Sequence, residues 1–342
     1  MNATMTRLAA IVSAGALAVS ACGDSTERAG DAAGKAAGKT ADASARPVDP
    51  ASVRANELGR VPVLMYHQIV PKPASVYDRT PAEFRAELER LAREDYVPIT
   101  ATEFVTGRID IPAGKHPVVL TFDDSTISQF ALGPDGAPRP DTAVGILLDV
   151  ARRHPGFRPV ATMFVNSAPF NDPDGRRTLT WLHRNGFEIG NHTATHVNLG
   201  SSNAATVQRE IAANQKAITA AVPGATVRTL ALPFGIKPNP PSLAVHGEHG
   251  GVRYQHLGVF LVGSNPSPSV FDASFDPQNI PRIRSQGPKG PDANFASTRW
   301  LNDLASGKVD RYTSDGDPTK ISYPRGTTAQ IAPAWRKLAR PY

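Results

Sequence analysis

The sequence predicts an α/β fold built on a parallel sheet, and three observations carry that prediction. Short apolar, β-branched runs recur between residues 61 and 283, amphipathic helical patterns alternate with them, and Thr, Gly and Pro punctuate the joints. Runs that are apolar throughout, instead of alternating in polarity, belong to strands buried on both faces, as in a parallel sheet. With 342 residues, 40% of them hydrophobic, the chain can bury a full core. One large α/β domain with flanking segments accounts for that length better than two domains.

The elements follow in order. A first strand is expected over 61–66, ending at His67. Thr80-Pro81-Ala82-Glu83 supplies an N-cap, a proline at the first helical position and a capping-box glutamate; Phe84, Leu88 and Leu91 follow at helical spacing. A short strand at 97–100 leads into a brief helix opened by Thr100 and Glu103. Val118 to Phe122, bounded by Pro117, reads as a buried strand that delivers Asp123 and Asp124 at its C-terminal tip. Residues 133–140 are Gly/Pro-rich and form a surface loop, after which Asp141 is expected to cap a helix with Val144, Leu147, Leu148 and Ala151 facing inward. Strands at 160–165 and 187–190 bracket a helix at 178–185 that Gly186 stops. Val207, Ile211 and Ile218 mark a longer helix ended by Pro223-Gly224, and strands follow at 227–232, 256–262 and 280–283. Residues 237–251 carry several Pro and Gly residues with His246 and His249, and His256 lies just beyond; with no carboxylate pattern beside them they read as a rim loop. Residues 285–291 are linker-like, 297–306 form a helix with Trp300, Leu301 and Leu304 packing down, and the tail beyond has no functional reading.

The single cysteine, Cys22, excludes a disulfide framework and a cysteine-based metal site. Arg7 and the amino terminus form a short positive segment, residues 8–19 an apolar one, and Val19-Ser20-Ala21 a small-residue cleavage site. Cysteine directly after that site resembles a bacterial lipobox, which implies removal of residues 1–21 and lipid on Cys22. The protein is therefore expected to be exported and held at the cell membrane by a lipid anchor, facing outward. Residues 22–58, rich in Ala, Gly, Asp and Lys, read as a flexible tether, because they offer too little apolar surface to offset their ordering entropy. A net charge of +6 suits anionic wall polymers or phospholipid head groups, or simply a soluble surface, and no aromatic-studded basic stripe points to nucleic acid.

The chemistry gathers in two stretches. His192 and His196 stand four residues apart, a spacing that puts two imidazoles on one face of a helical turn, close enough to share a metal. One of the two carboxylates after the third strand can complete a two-His, one-Asp site while the other moves protons. Order within the Asp pair is not decided by these residues.

Thr121-Phe122-Asp123-Asp124, then His192-Thr193-Ala194-Thr195-His196, then Leu232-Pro233-Phe234-Gly235 resemble the successive motifs of the polysaccharide deacetylases, the NodB-homology carbohydrate esterases. Val61 to His67 resembles the opening strand of the biofilm poly-N-acetylglucosamine deacetylase branch. The resemblance spans roughly residues 60 to 285 and implies a distorted, complete or incomplete, (β/α) barrel, with residues 59–342 as the catalytic domain and its C-terminal extension. It further implies a hydrolase that removes N-acetyl groups from a cell-wall or extracellular polysaccharide of N-acetylhexosamines. By the same resemblance Asp124, His192 and His196 hold Zn2+ or another divalent transition metal, Asp123 is the general base, and the Phe234 N–H helps hold the oxyanion while its ring lines the sugar groove.

Three departures qualify the resemblance. Ser125-Thr126 follow the Asp pair where the family commonly has Gly and an aromatic residue, Ala231 stands where many members have an Arg that pairs with the catalytic Asp, and the late His-bearing motif is not evident. Arg282 is the expected substitute for the missing Arg, and His67 the expected general acid. A catalytically degenerate glycan-binding lipoprotein and an O-acetyl esterase on an acetylated glycan are the alternative readings. A transporter-type solute-binding lipoprotein would need two similar α/β lobes, and the sequence shows one.

Overall fold

The computed structural model describes residues 48–290 and 292–342. In chain order the strands are β1 (Val63–Tyr66), β2 (Tyr96–Ile99), β3 (His116–Phe122), β4 (Thr162–Val165), β5 (Glu188–Asn191) and β6 (Thr229–Ala231), then the antiparallel pair β7 (His246–His249) and β8 (Val252–Gln255), then β9 (Gly258–Phe260) and β10 (Ile283–Arg284). Apart from the β7-β8 hairpin these strands form one eight-stranded parallel sheet in the order β10-β1-β3-β4-β5-β6-β9, with β2 also on β3. Val119 pairs with Val63 on one side and Ile99 on the other, and Thr121 and Phe122 pair with β4, so β2 and β4 share one edge of β3. Isolated bridges between Phe260 and Ile280 and between Ser264 and Ile283 link the two end strands. The sheet thereby curls into the expected distorted, incomplete (β/α) barrel.

Local chemistry explains the helices. α1 (Pro81–Arg93) opens with a complete Thr80–Glu83 capping box and buries Phe84, Leu88 and Leu91; each such burial is worth roughly 1.5–3 kcal/mol. α2 (Ala101–Val105) opens with a second capping box, Thr100 with Glu103. α3 (Ala143–Arg153) is capped by Thr142, one residue later than expected, because Asp141 instead pairs with Arg139. α4 (Arg176–Arg184) starts two residues early behind Gly175, and α5 (Ala204–Ala221) is capped by Asn203. α6 (Ser297–Ala305) packs Leu301 and Leu304 inward.

Strand periodicity sorts the core into two layers, and this is what aims the site. Leu64, Tyr66, Val118, Leu120, Phe122, Met163 and Val165 pack toward the helices, whereas Val63, Val119, Phe164, Ala231, Phe260 and Ile280 fill the barrel interior. Because side chains alternate with period two, the interior parity of Val63, Val119 and Ile280 carries through to His67, Asp123 and Arg282. Gly190 shows how tight the interior is: a Cβ there would come within 2.5 Å of the Phe164 ring.

The rim loop expected over 237–251 is more ordered than its composition suggests. Its second half is β7, joined to β8 by Gly250-Gly251, both at positive φ, as the tightest hairpin turns require. The strand expected at 256–262 shortens to β9, and that expected at 280–283 moves to its C-terminal end as β10, since only Ile283 and Arg284 pair with β1.

The last residues of the segment expected to be a tether, up to residue 58, belong to the folded body. Ala55, Glu57 and Leu58 are buried, and the backbone N–H groups of Asn56 and Glu57 donate to Thr313 and Ser322 at 2.9 Å each. Hydrogen bonds to the far end of the chain hold this segment where its own sequence has no apolar face to do so. There β11 (Ile321–Tyr323) pairs with β12 (Ala339–Pro341), and Tyr312 and Ile321 join the interior cluster. The expected signal segment, Cys22 and the tether up to residue 47 lie outside the described residues.

Candidate active site

The C-terminal ends of the parallel strands converge on one rim, the position at which barrels of this type carry their chemistry. His67 follows β1, Asp123 and Asp124 follow β3, Asn166 follows β4, His192 follows β5, and Pro233-Phe234-Gly235 follow β6. Arg282 comes up beside them just before β10.

The histidine pair meets through a different local structure from the helical turn its spacing suggested. Residues 192–196 form an irregular turn in which Thr193 and His196 have φ values of 64° and 56°. Asp124, at φ 74°, is left-handed as well, a conformation that side-chain-bearing residues adopt only when their surroundings enforce it. The Thr193 N–H donates to Asn191 Oδ1 at 2.8 Å, Asn214 Nδ2 donates to that same oxygen at 3.0 Å, and Asn166 Nδ2 donates to the carbonyls of His192 and Thr193 at 2.6 and 2.9 Å. Glu210 accepts from the N–H and hydroxyl of Thr195 at 3.0 and 2.9 Å.

This turn sets both imidazoles around one carboxylate. His192 Nε2 and His196 Nε2 each lie 3.4 Å from Asp124 Oδ1, and the three potential ligand atoms fall within 4.8 Å of one another. His192 Nδ1 is 2.9 Å from the Ala231 carbonyl, which fixes the proton on Nδ1 and turns Nε2 to the site as a lone-pair donor. That Nε2 is buried with no hydrogen-bond partner in the protein. Burial disfavours charge on His192, yet the carboxylates of Asp123 and Asp124 outweigh it and raise its pKa, so the surroundings favour positive charge here. Two imidazoles and a carboxylate with that electrostatic bias fit zinc or another divalent transition metal. Among the described residues this is the one metal-competent cluster; His246 and His249 sit on the hairpin, and His256 is buried against the Ala244 carbonyl at 2.7 Å.

Asp123 is treated differently from its neighbour. Arg282 donates to Oδ1 from Nη1 at 2.7 Å and to Oδ2 from Nη2 at 2.6 Å, and both residues are essentially fully buried. Arg282 is itself fixed by the Leu261 carbonyl at 2.7 Å and the Thr121 hydroxyl at 3.2 Å. Burial would raise the Asp123 pKa, but the guanidinium overrides it and holds the carboxyl well below its ordinary range. Asp123 Oδ2 lies 3.9 Å from His67 Nε2 and 4.0 Å from His192 Nε2, too far for a hydrogen bond to either.

His67 closes the site from the β1 side. Its ring packs 4.9 Å from the Tyr77 ring, and its Nδ1 is buried without a partner. Gln129, fully buried, donates to the carbonyls of both His67 and Asp123 and so ties the two strand tips together. Burial lowers the His67 pKa, with Asp123 and Asp124 opposing it. Phe234, at φ 58°, is 58% exposed with its ring 4.7 Å from that of His196. Trp181 packs against Phe130 and Phe187 at the edge of the core, and Tyr66 is buried.

Sequence reasoning missed Gln129, Asn166, Asn191, Asn214 and Glu210. The only available signal was Asn191 beside His192; the others are polar residues on helices and loops whose partners sit on other elements, so spacing alone does not pair them.

The curled parallel sheet with its site at the strand tips is the fold of the NodB-type deacetylases. Residues 110–250 match the polysaccharide deacetylase family model. A chitooligosaccharide deacetylase of Bradyrhizobium sp. is 32% identical over 143 residues, covering 42% of this chain and 55% of the relative. One from Sinorhizobium fredii is 33% identical over 123 residues, covering 36% and 49%. The chain thus spans about half the length of the curated relatives it matches. A Streptococcus pyogenes deacetylase, PplD, solved in complex with acetate, superposes with a TM-score of 0.51 over 71% of this chain and 97% of that one, at 19% identity, a likeness of fold.

Proposed function

We propose that the protein is a metal-dependent hydrolase that removes N-acetyl groups from a cell-wall or extracellular polysaccharide of N-acetylhexosamines. The observation that carries this reading is the division of labour within the Asp pair. Asp124 faces both imidazoles at 3.4 Å, while both oxygens of Asp123 are taken by Arg282. Asp124, His192 and His196 are the metal ligands in this reading. The relatives named above support the substrate class.

The reaction is attack of water on the acetyl carbonyl, followed by cleavage of the C–N bond to give acetate and a free amine. Asp123 receives the proton of the attacking water, and the Phe234 N–H donates to the oxyanion while its exposed ring lines the sugar groove. His67 delivers the proton that the departing nitrogen needs. Arg282 orients Asp123 and keeps it ionised. A divalent ion on the three ligands would polarise the carbonyl and acidify the water, which matters because Arg282 leaves Asp123 ionised yet weakly basic.

The test is acetate release by the purified protein from a panel of N- and O-acetylated glycans, with and without added zinc. Release from an N-acetylated oligomer supports the reading. Release from O-acetylated glycans alone would make the protein an esterase, and binding without release a degenerate glycan receptor. We also propose export and lipidation at Cys22, for which labelled fatty acid should enter the protein and be lost in Cys22→Ala.

A further inference from the structure

A buried carboxyl group with no part in the chemistry lies behind β1. Glu87 of α1 accepts a hydrogen bond from the Tyr66 hydroxyl at 2.7 Å, from the Ser285 hydroxyl at 2.6 Å, and from the hydroxyl of Ser297 at the start of α6. Arg79 approaches it at 4.0 Å and donates to Ser285 at 3.0 Å. Glu87, Tyr66, Arg79, Ser285 and Ser297 are all buried. A cluster of this kind is costly to leave partly satisfied, so its members hold one another in a single arrangement.

Three members of the cluster, Tyr66, Arg79 and Ser285, lead toward His67. Tyr66 precedes it in β1, with its ring fixed 5.0 Å from both Phe84 and Phe122. Arg79 closes the loop after His67: its N–H donates to the Gln68 carbonyl at 2.9 Å, and its carbonyl accepts from Val70 at 2.8 Å. Ser285 follows Arg284, whose guanidinium stacks 4.1 Å over the Tyr77 ring and donates to the Tyr77 hydroxyl at 3.0 Å. Tyr77 in turn packs on the His67 imidazole at 4.9 Å. Burial, with Glu87 alongside, holds the Tyr66 phenol well above its ordinary pKa, so it stays a donor.

We infer that Glu87 is a positioning residue for His67, fixing the imidazole through Tyr66, the Arg79 loop and the Arg284–Tyr77 stack at once. The functional half of this inference rests on His67 acting as general acid; the positional half does not. An acid displaced by about 1 Å can lose up to about 10²-fold in rate, so a residue out of reach of substrate can control proton delivery.

The experiment reads the two halves separately in the full chain, using Tyr66→Phe, Glu87→Gln and Glu87→Ala. Histidine side-chain NMR, with His67 assigned by its absence in His67→Gln, reports position. The His67 signals should shift or broaden in all three variants, least in Glu87→Gln, while those of His116 and His256, held elsewhere by backbone carbonyls, stay put. Hydrolysis of an acetamide should fall roughly 10-fold or more and that of an activated acetate ester distinctly less, with Glu87→Gln recovering part of the loss. Unchanged His67 signals, all histidines moving together, or equal loss on amide and ester would overturn the inference. Moved His67 signals in a protein whose wild type releases no acetate would uphold the positioning and remove the proposed activity instead. Should Glu87→Ala not fold, Tyr66→Phe carries the test, since it keeps the ring in the core and deletes one donor.

Discussion

Arg282 and Asp123, 159 residues apart in sequence, meet in a two-pronged ion pair whose hydrogen bonds measure 2.7 and 2.6 Å. Both are sealed from solvent, so removing either leaves an uncompensated buried charge. Arg282→Met should cost about 3–5 kcal/mol of folding stability. The neutral pair Asp123→Asn with Arg282→Gln should be more stable than the worse single variant, and a urea-denaturation cycle over the four proteins checks both expectations. Additive single and double effects would mean that the pair is not coupled.

His67 should separate two classes of substrate. An amine leaves only when protonated, whereas an activated ester needs no proton for its leaving group. His67→Ala should keep fold and metal and lose roughly 10²–10⁴-fold on an amide, with a much smaller loss on the ester. Equal losses, or none, remove His67 from this role.

Phe234 projects its ring from a loop whose backbone is already at φ 58°. Because the side chain is exposed, Phe234→Ala should change stability by no more than about 0.5 kcal/mol. Its effect should be on KM for oligosaccharides, which should rise while bound metal is retained. A KM unaffected by the truncation would take the ring out of the groove.

Glu57 gives stability a pH dependence far from the active site. Burial, and then the charge of Asp315, push its pKa from 4.5 up to about 8, against the hydrogen bonds from the Ser322 N–H and the Tyr312 hydroxyl. Between those values the folded chain keeps a proton that the unfolded chain has released, so stability is full below about pH 4.5 and is lost as pH rises toward about 8, by up to about 1.4 kcal/mol per unit. Glu57→Gln cannot ionise and should flatten that slope. Urea denaturation at about pH 5 and about pH 8 compares the two proteins, and parallel curves would contradict the assignment.

The strand that ends at Asp123 and the Thr80–Glu83 capping box were readable in the sequence because apolar runs and caps are local signals. The turn that joins His192 to His196 was not: its left-handed Thr193 and His196 are imposed by Asn166, Asn191 and Asn214, and no local rule anticipates non-glycine residues at positive φ there. Glu57 looked like the end of a flexible tether because the groups that hold it, Tyr312 and Ser322, are more than 250 residues away. Gly250-Gly251 between two short polar runs is a local turn signal for the β7-β8 hairpin, whereas the polar strands themselves carry no apolar alternation to mark them.

The account stands or falls on the separation of Asp123 from Asp124. Metal content and acetate release should be measured together on Asp123→Asn, Asp124→Asn, His192→Ala and His196→Ala, each first shown to be folded. Asp124→Asn and the two histidine variants should lose metal and activity in step, while Asp123→Asn should hold metal at the wild-type level and lose turnover. An Asp123→Asn protein that loses metal as fully as the other three, or an Asp124→Asn protein that keeps it, would contradict the assignment.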